Sequence, residues 1–477
     1  MTRSATPPPS RRPVRLLVGG RSPTPPATAR YSAFSRRRGV AAACAAALLV
    51  AMAGCASDGG GTTGSDEACE PSGGKVELTF WSWVPGIKEA VDLWNGRNPG
   101  IQVAVEETPQ GNQGTYAKMF NALKAKQAPD LGQIEYDTLP QFRVQQGLKN
   151  IASCPGVAQA ESRFVDWTWR QSSVGGGGVF AVPQDTGPMA LFYRKDLFAE
   201  HDVKVPTTWA EYAQAARTLH EADPELHIAH FPQKDVNWYA GLVWQAGGRW
   251  FTQNGEEWTV DLGDPASRKV AGFWQDLIGD ELVADLQGFS ESWNKALDSG
   301  HIATWPAAAW GAETIRTAAP STSGKWAVAP LPQWRAGEQK SGNWGGSTTA
   351  VLAGSAHPAE AAKFALWLNT APEALAITTA EGGLYPATVR AQQSLSPSEE
   401  ITEFYGGQQV YEVFRQASRN VSQNFTWGPA MQKTYDHARG GFAGALNGST
   451  TLDEVMAGTT RKTIEDLRRQ SIPVAGQ

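Results

Sequence analysis

The chain is 477 residues long, with 42 basic and 47 acidic residues and a formal net charge of −5. An acidic chain without a basic stripe argues against a nucleic-acid partner. Its length exceeds what one hydrophobic core usually supports, so two lobes are expected.

The first 54 residues hold nine arginines, no lysine and no acidic residue. Pro-rich low complexity fills the first 30 and cannot make a core. Ser35-Arg-Arg-Arg38 then precedes an apolar run from Val40 to Ala53. A bilayer-spanning helix needs about 20 residues, so this shorter run suits the apolar region of a signal peptide. The paired arginines leave general and twin-arginine export both open. Met52-Ala-Gly-Cys55 resembles a bacterial lipobox, which implies Cys55 as an acylated first residue; ordinary signal cleavage is the alternative. Residues 1–54 are therefore read as leader and 55–74 as a flexible tether.

Processing leaves 33 basic against 47 acidic residues, a net charge of −14. Such a chain is poorly suited to lying on anionic lipid, so its contact with a membrane would be the lipid anchor itself. Cys69 and Cys154 are the two cysteines beyond the lipobox. Outside the membrane such a pair favours a disulfide over a metal site, with buried thiols as the alternative. No metal and no cofactor is expected. His227 and His230 approach ligand spacing but lack a third partner.

Lys75 to Trp81 alternates Val76, Leu78 and Phe80 inward, as a first strand does. Ser82 to Gly86 is a turn, and a helix follows with Ile87, Ala90, Val91 and Trp94 on one face. Asn98-Pro-Gly100 stops it, and Ile101, Val103 and Val105 mark a second strand. Pro129 to Glu135 reads as a third. Asp137 then caps a helix through Phe142 that ends at Gly147. Strand–helix–strand order of this kind predicts a parallel α/β sheet.

Val179 to Tyr212 is the segment around which the chain is organised. The run Val179–Val182 leads into the turn Pro183-Gln-Asp-Thr-Gly-Pro188, and Met189–Tyr193 is a second apolar run. The prolines cannot donate to a sheet ladder, so the segment suits a chain crossing between sheets. Thr208-Trp-Ala-Glu211 is a capping box that opens a helix. Later helices are expected over 237–246, 268–277, 291–297, from Pro358, and over 452–469. Strands are expected at Trp326–Leu331 and Gly345–Leu352, and Gly382 to Pro386 is another turn.

The apolar run, Pro turn, Tyr193-Arg-Lys-Asp196 tetrad and Pro206-x-Thr-Trp209 resemble the signature of the extracellular solute-binding proteins of ABC importers. The likeness is to their maltose-binding-like, carbohydrate-type family, with Arg194 where Asn is usual. It implies a two-lobed α/β fold with several hinge crossings and a ligand cleft between the lobes. Lobe one would be 75–186 plus 345–370, and lobe two 188–342 plus 372–477. It also implies a monomer that hands a sugar or oligosaccharide to permease subunits at the outer face of the membrane.

The 19 tryptophans point the same way. A sugar ring packs an apolar face on an indole, and its hydroxyls need fixed partners. Trp83 follows strand one, and Gln110 and Asn112 lie in the loop after strand two. Tyr136 and Asp137 end strand three, where Asp137 is either a hydroxyl acceptor or an N-cap. Asp185 sits in the crossover turn, as a ligand contact or a turn former. Trp305 and Trp310 bracket a small-residue loop, and the resemblance implies that Trp310 stacks on sugar. Trp344, Gly345 and Gly346 at the second crossing, Tyr385 in the Gly-Leu-Tyr-Pro turn, and Trp427 complete the candidates.

A glycoside hydrolase would use the same residue types, with paired carboxylates. No nucleophile elbow, phosphate loop or His-Glu-x-x-His motif accompanies them. The chain is therefore read as a binding protein and not an enzyme. A carbohydrate sensor of the same fold is the third reading.

Overall fold

A computed structural model describes residues 69–173 and 178–475. The leader, the lipidation site at Cys55 and most of the tether lie outside the described residues. The strands in chain order are β1 (Val76–Ser82), β2 (Ile101–Glu107), β3 (Leu131–Glu135), β4 (Ala181–Pro183), β5 (Met189–Arg194) and β6 (Ala229–His230). They continue with β7 (Phe251–Asn254), β8 (Glu257–Val260), β9 (Val283–Ala284), β10 (Thr304–Ala308), β11 (Trp326–Pro330) and β12 (Ser347–Val351).

The first sheet has the order β2–β1–β3–β12–β4. β1 runs parallel to β2 and β3, as the alternating strand–helix pattern predicts. β12 is antiparallel to both β3 and β4, so the sheet is mixed where the chain returns to it. Pro183 falls in β4, at the sheet edge, where its missing N–H costs no ladder bond. The second sheet, β10–β5–β11, is antiparallel throughout. β6 and β9 form a short parallel pair, and β7 and β8 a hairpin.

Helix Ile87–Arg97 buries Ile87, Ala90, Val91 and Trp94, the face expected from their spacing. Trp94 packs edge-on against Phe364 of helix Pro358–Thr370. Helix Pro372–Gly382 joins the same layer. Its Ala374 sits in that core, and Glu373 pairs with Arg97. This corrects the expected boundary: lobe one does not end near residue 370, because the next helix buries its apolar side there. Cys69 and Cys154 are disulfide-bonded and buried in this first core.

Helix Trp209–Ala222 carries the predicted capping box in full, with Thr208 and Glu211 exchanging hydrogen bonds. Helix Leu452–Arg469 carries another, at Thr451 and Glu454, and packs beside helix Met431–Leu446. Asp137 does not cap the helix that follows it. That helix, Leu139–Val144, starts after Thr138 with no side-chain cap.

Three segments cross between the sheets, near residues 183–188, 343–347 and 384–388, and backbone hydrogen bonds stitch them together. Gln184 N–H donates to Ser347 O at 2.9 Å, Thr186 N–H to Tyr385 O at 2.8 Å, and Trp344 N–H to Gly187 O at 2.8 Å. Gly187 N–H donates in turn to Asn343 Oδ1 at 2.8 Å. A Cβ on Gly187 would collide with the carbonyl oxygen of Trp344. Backbone cannot swing aside as a side chain can, so Gly187→Ala is expected to cost about 3 kcal/mol, the upper range for overpacking. Denaturant titration of the purified variant measures this; a cost under about 1 kcal/mol would mean that the crossings shift freely.

Candidate functional site

β1 and β3 deliver their C-terminal ends to the same place. Trp83 follows β1, half-buried, with its N–H on Gln133 Oε1 at 3.0 Å and its ring edge-on to Tyr116. Tyr116 OH donates to Glu135 Oε2 at 2.9 Å and accepts from Glu135 N–H at 3.0 Å. Two residues on, Asp137 is only 3% exposed. Its Oδ1 accepts from Thr138 Oγ1 at 2.8 Å. Its Oδ2 accepts from Tyr435 OH at 2.9 Å and Asn237 Nδ2 at 3.1 Å. Both donors belong to helices of the second lobe, so one carboxylate ties the two lobes together.

Asp185 lies in the first crossing. Its Oδ1 accepts from Ser347 N–H at 2.8 Å and Ser347 Oγ at 2.6 Å, clasping the first crossing to the second. Asp235 caps helix Val236–Ala246 through Trp238 N–H and takes a further bond from the indole of Trp344. These four acids share one electrostatic neighbourhood. Loss of water pushes Glu135 well up, and the charges of Asp137, Asp185 and Asp235 push it further. Burial also raises Asp137, although its bonds to Thr138 and Tyr435 oppose this. Asp185 is pushed up to about 6 by burial against the pull of Ser347, and Asp235 likewise to about 6 by burial. No ion pair joins any of the four among the described residues.

Beside the acids stands an aromatic wall. Trp310, half-buried after β10, donates from Nε1 to Trp344 O at 3.2 Å, and the two ring centroids are 4.5 Å apart. Trp305 is buried behind both, at 5.9 and 5.8 Å, so it supports the wall without facing solvent. Gly345 and Gly346 both take left-handed backbone, with φ of 81° and 92°. Gly346 also lies where a Cβ would press on Asp185 O at 2.9 Å and the Tyr136 ring at 3.0 Å. Beyond Trp310 runs a groove of about 1160 Å³ between the lobes, bordered by Glu313 on one side and Glu381, Gly382 and Gly383 on the other. None of the four clustered acids lines it; Trp310 does, and Trp344 behind it is buried.

Of the residues singled out from sequence, Trp83, Asp137, Asp185, Trp310, Trp344, Gly345 and Gly346 gather at this interlobe region. Tyr136 is buried against Trp167. Tyr385 is buried in the third crossing, against Tyr411 and Phe414. Trp427 packs inside, on Trp244 and Phe425. Gln110 and Asn112 are exposed on a loop whose Gly111 lies against Tyr116. Sequence reasoning passed over Glu135, Asp235, Asn237, Tyr435 and Phe289. Glu135 was visible as the last residue of a strand. Asp235 was visible as an N-cap three residues before Trp238.

The model of the bacterial extracellular solute-binding proteins matches residues 81–374. The chain belongs to that family. It is similar to a lactose-binding protein of Rhizobium radiobacter, at 25% identity over 72% of this chain and 83% of that one. Among solved structures it resembles the galacto-N-biose/lacto-N-biose I-binding protein of an ABC transporter from Bifidobacterium longum, in complex with lacto-N-biose. The TM-score is 0.77 and the identity 27%, covering 85% of this chain and 100% of the other. An ABC transporter-associated binding protein from B. animalis subsp. lactis Bl-04, in complex with β-1,6-galactobiose, superposes with a TM-score of 0.71. Its identity is 27%, over 84% and 99% of the two chains. The two-lobed α/β architecture of the solute-binding proteins is thus the fold of this chain, and members of the family are binding proteins.

The acid cluster makes a pH prediction. The folded protein holds a proton on Asp185 more tightly than the unfolded chain does. The stability this group contributes is therefore complete below about pH 4 and lost as pH rises through about 6. Asp185→Asn keeps an Oδ1 for Ser347 and does not titrate. Relative to the parent, the variant should gain up to about 3 kcal/mol between pH 4 and 7.5, the value of a two-unit shift. Paired denaturation curves at the two pH values measure the gain, and a pH-independent difference would contradict it.

Proposed function

We propose that this chain is the lipid-anchored, extracellular substrate-binding protein of an ABC transporter, held to the membrane through Cys55. It captures a sugar or oligosaccharide by closure of its lobes and delivers it, unaltered, to the permease subunits. The observation that carries the reading is the half-exposed Trp310, backed by the buried Trp344, near four buried carboxylates that have no ion-pair partner among the described residues. Indole faces suit the apolar side of a sugar ring. Carboxylates suit its hydroxyls, because an ionised carboxyl is an acceptor with about four lone-pair sites. Asp137 is buried and holds three donors already, so a ligand hydroxyl would replace one of them.

The same cluster selects against anions. Those of the acids that are ionised repel a phosphate or carboxylate, while Glu135, pushed up to about 8, is neutral at pH 7, and like charges within such a site cost several kcal/mol. A neutral polyol is the ligand class that satisfies both halves of the site. Lactose, lacto-N-biose and β-1,6-galactobiose appear in the names or complexes of the similar proteins, so neutral disaccharides are the first to test. Affinity in the micromolar range corresponds to about −8 kcal/mol, which a stacked ring and a few satisfied hydroxyls supply. Binding shifts the population toward the closed form that the permease recognises.

Isothermal titration against a panel of neutral mono- and oligosaccharides should find a sugar bound without turnover. Trp310→Ala should weaken that sugar at least tenfold, about 1.4 kcal/mol, while unfolding stays cooperative. Unchanged affinity would remove Trp310 from the site, and release of hydrolysis products would replace this reading with the glycosidase one.

A further inference from the structure

Phe289 is the most exposed large hydrophobic side chain among the described residues, at 53%. It also takes a left-handed backbone, with φ of 62°. Each feature is unfavourable by itself. An exposed benzyl group forfeits burial, and a bulky side chain at positive φ is a genuine outlier that persists only where its surroundings enforce it. Gly288, immediately before it, would tolerate such a φ at no steric cost.

The surroundings do enforce it. Ser290 caps helix Glu291–Ser299 through Trp293 N–H at 3.2 Å, and its Oγ donates back to Gln287 O at 2.6 Å. Gly288 lies against His230, where a Cβ would come within 3.2 Å of Nε2. Trp293 Nε1 donates to Nδ1 of the same His230 at 3.0 Å. The turn is thus pinned on both sides, and the ring it carries has a fixed place. That place is the aromatic wall: the Phe289 centroid is 6.1 Å from Trp310 and 6.3 Å from Trp344.

From the strained backbone, the exposure and the ring contacts we propose that Phe289 is a second stacking position. It continues the Trp310–Trp344 wall outward and selects ligands of at least two sugar rings over monosaccharides. The proposal rests on the sugar-binding reading above. One ring against Trp310, with the buried Trp344 behind it, leaves the neighbouring Phe289 ring for the next unit, and that unit covers the exposed benzyl group. Covering it recovers burial only in the complex, so the stability forgone in the empty protein becomes affinity for the longer ligand.

The test uses the full chain and titrates lactose, lacto-N-biose and β-1,6-galactobiose together with galactose, glucose and N-acetylglucosamine. Phe289→Ala and Phe289→Gly should weaken the best-bound disaccharide at least tenfold. The disaccharide's advantage over its component monosaccharides should shrink by the same factor. Phe289→Trp should stay within about threefold of the parent, since an aromatic face is retained. Without sugar, Phe289→Gly should melt no lower than the parent, because glycine relieves the left-handed strain. A merely structural phenylalanine would give a lower melting temperature in the glycine variant and equal losses for one and two rings. Either that result or disaccharide affinity within twofold of the parent overturns the proposal. Failure of the unaltered protein to bind any sugar overturns the carbohydrate reading itself, and this inference with it.

Discussion

The site depends on how tightly the three crossings are bonded to one another. The first lies between the other two, giving and taking backbone hydrogen bonds on both sides, and Asp185 locks it to the second through both polar groups of Ser347. A carboxylate that spends its lone pairs on a neighbouring strand gives up water to do so, which is why burial raises its proton affinity. In return, Trp344 and its glycines are held at a fixed offset from the ends of β1 and β3. The aromatic wall and the acids are set against each other by backbone geometry, to which the bond from the Trp344 indole to Asp235 is added.

Against this rigid floor, the contact between lobes at Asp137 is of a different kind. It is made by side chains alone: one carboxylate, a tyrosine hydroxyl and an asparagine amide. Such bonds exchange readily for water or for ligand hydroxyls, because a typical one contributes only about 1 kcal/mol net. The raised proton affinity of Asp137 and Glu135 adds a cost to keeping them enclosed and charged. The two bonds across the lobes therefore contribute a few kcal/mol at most. On the proposed function, a ligand bringing several donors into the same space would take over this contact and bias the lobes, as differential affinity for two states requires.

The framework was legible in the sequence because local patterns and tertiary packing agree there. β1, helix Ile87–Arg97 and the capping box at Thr208 follow from periodicity and from side chains that satisfy their own backbone. The crossing was legible from Pro183 and Pro188 for a similar reason, since neither can sit in a central ladder. The tryptophans were not. Trp94, Trp209, Trp238, Trp250 and Trp274 are fully buried, so the high count mainly records an indole-rich core. What separates Trp310 from Trp305 is which way each points from neighbouring positions of one strand and turn, and spacing alone carries no such information. Asp137 was open between two roles because an N-cap and an interlobe acceptor have the same residue type at the same place. Only the position of Tyr435, nearly 300 residues later, separates them.

The division of labour among these indoles explains why so aromatic a protein keeps a defined site. Trp293 and Trp305 lie edge-on at 5.0 Å, buried, and form the base on which the wall stands. Edge-to-face contacts contribute about 0.5–1.5 kcal/mol beyond the area they bury, and they fix ring orientation as area burial cannot. A ring oriented from behind needs no reorganisation when something arrives in front, so less ordering entropy is lost on binding. The buried tryptophans, Trp344 among them, hold the half-exposed Trp310 still. Without that support, Trp310 would have to be ordered by whatever packs against it, at the expense of the affinity gained.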